Sequence, residues 1–329
     1  MKKIIVLFLV LTLVGCTPST QDTSSNQTPQ KSLKILISQE NSAFERVAKT
    51  FTQTAQVSAH PTDYFEYLKI SLSSPNAPTL FILENAEQVK HLKDNLEELS
   101  GEAWVNNACP NTLTDAAIDG KVYSMPGNIK GIGFVYNSDI LTQAGINPEN
   151  LNSSQRLYNA FEILYERIKN GDFKENFPHL KTVLCVDEQI PLTFEELSPF
   201  MSDGGVDFLA NEKSAVMLTD TDVYFKVKEI NEETADELNL LPITIDGEIE
   251  FKAILKTTHY WAINKNAAED EKKTAKEFLL WLYTKQGREH LTSLKIINPI
   301  TTLDDYSNLP PLIKDFKTYA DTAQTTTLN

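Results

Sequence analysis

Beyond residue 31 the chain repeatedly sets a short apolar run against a helical pattern. That alternation restricts it to architectures in which helices pack on a largely parallel sheet. Residues 32–38, SLKILIS, alternate as a strand does. In 42–55, Phe44, Val47, Ala48, Phe51 and Ala55 fall at helical spacing behind Ser42 as N-cap. PTLFIL at 78–83 is continuously apolar, as a strand covered on both faces would be, and ENAEQVKHLKDNLEEL after it has a helical pattern. The order recurs with GIGFVY at 131–136 before a helix over 155–169, SAVML at 214–218, and YWAI at 260–263. DEKKTAKEFLLWLYTKQGREHL follows, with Ala275, Phe278, Leu279 and Leu282 on one face. The class predicted is α/β. Roughly 300 such residues exceed the usual single domain and predict two lobes. The tail after Asp321 reads as frayed.

The first thirty residues predict where the chain resides. MKKIIVLFLVLTLVGC has two lysines, an apolar run at 4–14 too short to span ~30 Å of hydrocarbon, and Gly15-Cys16, the lipobox of a bacterial lipoprotein signal peptide over 1–16. Cys16 is the expected lipidation site. Residues 17–31 lack large apolar side chains and predict a flexible tether reaching about 20 Å. Few arginines beside abundant Lys, Asn and Ile suggest an AT-rich, Gram-positive source, placing the chain on the outer face of the cell membrane. A net charge of −15 disfavours nucleic acid and anionic lipid as partners. Cys109 and Cys185 are the cysteines left in the folding part, too few for a disulfide scaffold or a cysteine metal site. The five histidines show no metal-ligand spacing, and no nucleophile elbow or phosphate loop is present, so no metal or cofactor is expected, while the abundant carboxylates leave a glycosidase pair open.

The segment 120–148, GKVYSMPGNIKGIGFVYNSDILTQAGINP, resembles the sugar-binding branch of ABC-transporter extracellular solute-binding proteins, the maltose-binding-protein-like family 1. Gly120, Lys121, Tyr123, Pro126, Tyr136, Asn137, Asp139, Ala144, Gly145, Ile146 and Pro148 fit that family's hairpin, crossing strand and following turn. KTTHYWAINKNAAEDEKKTAKEFLLWLYTKQGREHL at 256–291 is similar to its return crossing and helix, and PTLFILENAEQ at 78–88 to the strand whose exit loop faces ligand. The resemblance implies a two-lobed periplasmic-binding-protein-like fold (type II), hinged lobes each with a central, mainly parallel sheet. Lobe 1 would comprise 32–129 and 259–298, and lobe 2 would comprise 130–258 and 299–329, with crossings near 128–131, 255–259 and 298–300. It implies a monomer with no catalytic residues that captures a small solute, a sugar or oligosaccharide, and hands it on unchanged to ABC permease subunits. The alternative is a surface-anchored sensor or adhesin that keeps the fold and binds a macromolecule. Where the family places a Gly-x-Trp turn after a strand like SAVML, this chain has Asp220 and Asp222.

By position, the ligand-facing candidates are Gln39, Glu40 and Asn41 after the first strand and Glu84 and Asn85 after PTLFIL. Their amides and carboxylates suit paired hydrogen bonds to vicinal hydroxyls, and equally suit helix capping. The crossing contributes Asn128 and Lys130, the second lobe Asp220, Asp222 and Tyr224, and the return crossing His259 and Tyr260. Asp220 and Asp222 suit three roles: bonding hydroxyls, attracting a cation, or closing a turn. Strand alternation sends Tyr260 and Trp261 to opposite faces, so at most one faces ligand. Trp281 and Phe278 read as packing, and Trp104 as either rim or core.

Overall fold

The structure, a computed structural model, describes residues 32–114, 116–190, 194–243, 252–284, 286–301, 306, 308–322 and 324–326. The leader, Cys16 and the tether lie outside the described residues. Strands are β1 (Leu33–Ile37), β2 (Ala55–Ala59), β3 (Leu80–Leu83), β4 (Ala117–Ile118), β5 (Lys121–Val122), β6 (Met125–Asn137), β7 (Thr182–Val186), β8 (Met201–Ser202), β9 (Ser214–Asp220), β10 (Leu238–Leu241), β11 (Ala253–Ile263) and β12 (Thr325–Thr326). Helices are α1 (Ser42–Phe51), α2 (Tyr64–Ser71), α3 (Ala86–Leu92), α4 (Ser138–Gln143), α5 (Ser154–Asn170), α6 (Val206–Ala210), α7 (Val223–Ile230), α8 (Glu232–Asp236), α9 (Glu269–Tyr283), α10 (Glu289–Ser293) and α11 (Pro311–Asp321).

Apart from the small β4–β5 ribbon, these strands join one sheet in the order β2-β1-β3-β11-β6-β9-β7-β8, with β10 on β6 and β12 on β11. The outer pairs β1–β2, β1–β3, β7–β9 and β7–β8 are parallel, and the two long inner strands run antiparallel to each other and to β3, β9 and β10, with β12 alone parallel to β11 among the described pairings. β6 changes partners along its length: it pairs β11 from Met125 to Ile132, then β9 and β10 up to Asn137. The sheet thus has two wings, joined through β6 and β11.

Each wing is covered on both faces, which explains the near-continuous apolar runs of its strands. In the first wing Ile35, Phe44, Trp261 and Phe278 pack on one face, and Leu36, Leu68, Phe81 and Tyr260 on the other. In the second, Phe134, Phe161, Val216 and Leu218 oppose Val135, Met217, Leu240 and Phe316. Adjacent residues (35/36, 134/135, 216/217, 260/261) go to opposite clusters, as the two-residue pleat requires.

Several boundaries differ from the sequence reading. The N-cap of α1 is Asn41, whose Oδ1 accepts from Phe44 N at 2.9 Å, not Ser42, and Ala55 opens β2 instead of extending the helix. The helix expected through residue 99 ends at Leu92, because Leu96 and Glu97 bond to the end of β11: Glu97 N donates to Ile263 O at 2.9 Å. The last long helix breaks into α9 and α10 around Gly287, where a Cβ would lie 2.5 Å from Trp281 O. Within the tail expected to fray, residues 325 and 326 instead form β12, which pairs with Ala253 and Ile254 of β11, and Asn111 Nδ2 donates to Thr325 O at 3.1 Å. Trp104 is core.

The inner strands are held by close backbone approaches. Gly131 carries the Phe316 ring, 2.3 Å from where a Cβ would be, and Gly127 carries the His259 imidazole at the same spacing. A third stretch runs alongside, with Ile297 N donating to Asn128 Oδ1 at 2.7 Å. Beside it lies a buried polar cluster. Lys317 Nζ donates to Asp321 Oδ1 (2.6 Å), Ile300 O (2.9 Å) and Cys109 Sγ (3.1 Å), and the Tyr306 hydroxyl donates to Asp321 Oδ2. Cys109 thus packs against α11, in a cluster that also holds Ile129 and Ile297 of the stretches beside it. Cys109 and Cys185 are both free and buried, and burial pushes the Cys109 thiol up to about 12.

Candidate functional site

Three strands end at one groove. Beyond Leu83 of β3 come Glu84 and Asn85, beyond Val186 of β7 come Asp187 and Gln189, and β9 ends on Asp220. All of these border a groove of about 720 Å³, completed by the inner strands through Lys130, Ile132, Lys256, Thr257 and Thr258 and by Asn111. Carboxyl ends of strands are where open α/β sheets bind ligands, because side chains and helix starts converge there. The volume is within the range of small-molecule sites.

Asn85 caps α3, its Oδ1 accepting from Gln88 N at 3.0 Å, while Gln88 Oε1 accepts from Glu84 N at 2.8 Å. This reciprocal cap fixes both backbones and commits the Asn85 side chain. The Glu84 carboxylate remains exposed, touched by the Gln88 amide at 3.4 Å.

Lys130 anchors the opposite side. Its ammonium pairs with Asp220 at 3.3 Å and with Asp222 at closer range. Burial works against the Lys130 charge, but Asp222 and Asp220 outweigh it and hold its pKa above the usual lysine range. Burial raises the Asp222 carboxyl against the pull of Lys130, and Asp222 Oδ1 is buried without a hydrogen-bond partner among the described residues. Asp220 also closes a turn, its Oδ1 accepting from Asp222 N at 2.9 Å. Of the roles read for this pair, turn closure is seen at Asp220, and both carboxylates are engaged by the protein's own Lys130. Asp187 is oriented by Thr219 Oγ1 (3.0 Å) and Gln189 N (3.0 Å).

Of the twelve residues singled out in the sequence, Glu84, Asn85, Lys130, Asp220 and Tyr260 border the groove, and Asp222 stands behind it on Lys130. The Tyr260 ring is buried at 2 % exposure in the first wing, while Trp261 packs on the other face against Phe44. Gln39, Glu40 and Asn41 are exposed at the end of β1 and do not border the groove. Asn128 is a backbone tie through Ile297. Tyr224 is core, its hydroxyl donating to Asp236 Oδ1 at 3.3 Å. His259 lies against Gly127 and edge-on to Trp261, with Nε2 buried and without a hydrogen-bond partner among the described residues; burial pushes its pKa down to about 4. The sequence reading passed over Asp187, Gln189, Lys256, Thr257 and Thr258. The strand signal TVLCV immediately before Asp187 was available to point to the first two. Among the described residues no group of three or more His, Cys, Asp or Glu is placed to hold a metal ion, and no helix is long and apolar enough to cross a membrane.

No protein-family model and no curated protein matches the chain. Solved structures do resemble it. A family 1 extracellular solute-binding protein from Alicyclobacillus acidocaldarius aligns at 15 % identity over 90 % of this chain and 87 % of that one, with a TM-score of 0.67. A cyclic alpha-maltosyl-1,6-maltose binding protein from Arthrobacter globiformis does so at 15 %, 90 % and 88 %, also with 0.67. A probable secreted solute-binding lipoprotein from Streptomyces coelicolor gives 13 %, 92 %, 89 % and 0.67. The chain has the α/β fold of the family 1 extracellular solute-binding proteins, so the resemblance carried by 120–148 and 256–291 is borne out for the fold.

Proposed function

We propose that this protein is an extracytoplasmic solute-binding lipoprotein that captures a small polar solute, a carbohydrate, in the groove between its two wings and delivers it to an ABC importer. The observation that carries this is the convergence of Glu84 from the first wing, Asp187 and Asp220 from the second, and Lys130 and Lys256 from the joining strands on one polar groove. Lobe 1 (32–129 with 259–298) and lobe 2 (130–258 with 299–329) are then bodies that rotate about β6, β11 and the 298–300 stretch, and solute stabilises the closed form by touching both. Capture without chemistry suits the relatives described above as binding proteins. Membrane attachment rests on the lipobox: a diacylglyceryl group on Cys16 retains the protein at the membrane, and Cys16→Ser moves it to the soluble fraction.

A thermal-shift screen of mono- and oligosaccharides tests the reading, since a solute bound only by the folded form must raise the melting temperature. Small-angle scattering of the same mixtures should show compaction, and chromatography should recover the saccharide unshortened. A full panel with no shift and no compaction sinks the proposal, and shortened products turn it towards a hydrolase.

A further inference from the structure

The charges around the groove do not cancel, and the residue left over points to the ligand. On the floor Lys130 and Lys256 face each other across the β6–β11 ladder; Asp220 and Asp222 both pair with Lys130, and Lys256 is exposed with no carboxylate at ion-pair distance among the described residues, so these two ammonium groups and two carboxylates balance only in sum. On the first wall Glu87 is met by Lys90 at 2.8 Å. Two carboxylates remain, Glu84 on one wing and Asp187 on the other. Their contacts are neutral donors: the Gln88 amide for Glu84, and the Thr219 hydroxyl and Gln189 N–H for Asp187. Among the described residues neither has a cation within ion-pair distance. Nor does the groove offer a stacking platform, because Tyr260, its aromatic residue among those described, is buried.

Resting on the capture function above, we infer that the solute is an amine-bearing saccharide, whose protonated nitrogen is taken between Glu84 and Asp187 while its hydroxyls meet Thr257, Thr258 and Gln189. Closing the wings removes water from these two carboxylates, and a carboxylate stripped of water needs a cation. A neutral sugar leaves both unpaired; an ammonium group supplies charge-assisted hydrogen bonds from both walls, stronger than neutral ones. The net charge of −15 concentrates cationic solutes near the surface before capture. Selection thus comes from charge, where a stacking ring is not on offer.

The experiment is calorimetric titration of the full-length protein with glucosamine oligosaccharides and with their N-acetylated counterparts, which keep the ring and remove the charge. The amine forms should bind at least about tenfold more tightly, with a preference that shrinks as salt is raised. Asp187→Asn and Glu84→Gln should each lower that preference, and Asp187→Glu, which retains the charge, should keep it. Circular dichroism confirms that the variants are folded. Equal or tighter binding of the N-acetylated forms overturns the amine inference and leaves solute capture standing. Binding of spermidine with no saccharide bound overturns the saccharide half. Failure of all probes, together with a blank thermal-shift panel, removes capture itself.

Discussion

Replacing Lys317 by Met tests the buried cluster beside the joining strands. The Lys317 and Asp321 side chains are 2 % and 1 % exposed, so neither charge is relieved by solvent. Lys317→Met removes the ammonium and leaves Asp321 with the Tyr306 hydroxyl and the Cys109 thiol as donors, while the Ile300 carbonyl loses this donor. Breaking one side of a buried ion pair costs about 3–5 kcal/mol, because the survivor is an uncompensated charge. At about 2 °C per kcal/mol for a chain of this size, the melting temperature should fall by roughly 6–10 °C. Removing both charges together, Lys317→Met with Asp321→Leu, takes away the orphan and should recover most of that loss. The assay is thermal unfolding by circular dichroism of the four proteins of this double-mutant cycle. A single variant losing less than about 1 kcal/mol, or a double variant no better than the single, would refute the reasoning.

Gly131→Ala should destabilise by about 1–3 kcal/mol in urea unfolding, since its Cβ would meet the Phe316 ring, whereas Gly101→Ala, with open space around it, should be close to neutral. His259 has a depressed folded pKa near 4, so between about pH 6.5 and 4 the unfolded chain binds a proton that the folded chain does not, and stability falls as pH drops through that window. His259→Gln should flatten this stretch of the melting-temperature profile, and an unchanged profile would show that another group governs it. Lys130→Met should raise the Asp222 carboxyl further, because burial already lifts it and the opposing charge is gone. Carbonyl-carbon NMR titration of Asp222 reads this directly, and an unmoved titration would contradict the pairing.

The legible part of the fold was its alternation. Both-face burial wrote continuous apolar runs into PTLFIL, GIGFVY and SAVML, and the observed strands lie on or around them. What escaped were elements whose signal is tertiary. β2, AQVSA, has an exposed second face and little apolar content, and β12 is a polar pair whose pairing depends on β11. The site was legible where a residue closely follows a recognised strand, as Glu84 after PTLFIL and Asp220 after SAVML show. It was not legible at Thr257 and Thr258, because the register shifts around His259 redirect the side chains of β11 away from simple alternation. The capping of Asn85 and the turn at Asp220 show why strand-end polar residues are ambiguous in sequence: one chemistry serves the backbone and a bound molecule alike.

The placement of β12 bears on how the protein can be handled. Residues 325 and 326 supply the parallel partner of Ala253 and Ile254, and Ala253 N donates to Gln324 O at 3.1 Å. A recombinant product trimmed at residue 321 would present that margin of β11 bare, with free amide and carbonyl groups ready to recruit a neighbouring molecule. Such shortened preparations should be prone to self-association, and fusions at the carboxyl end need a spacer that leaves this short strand seated.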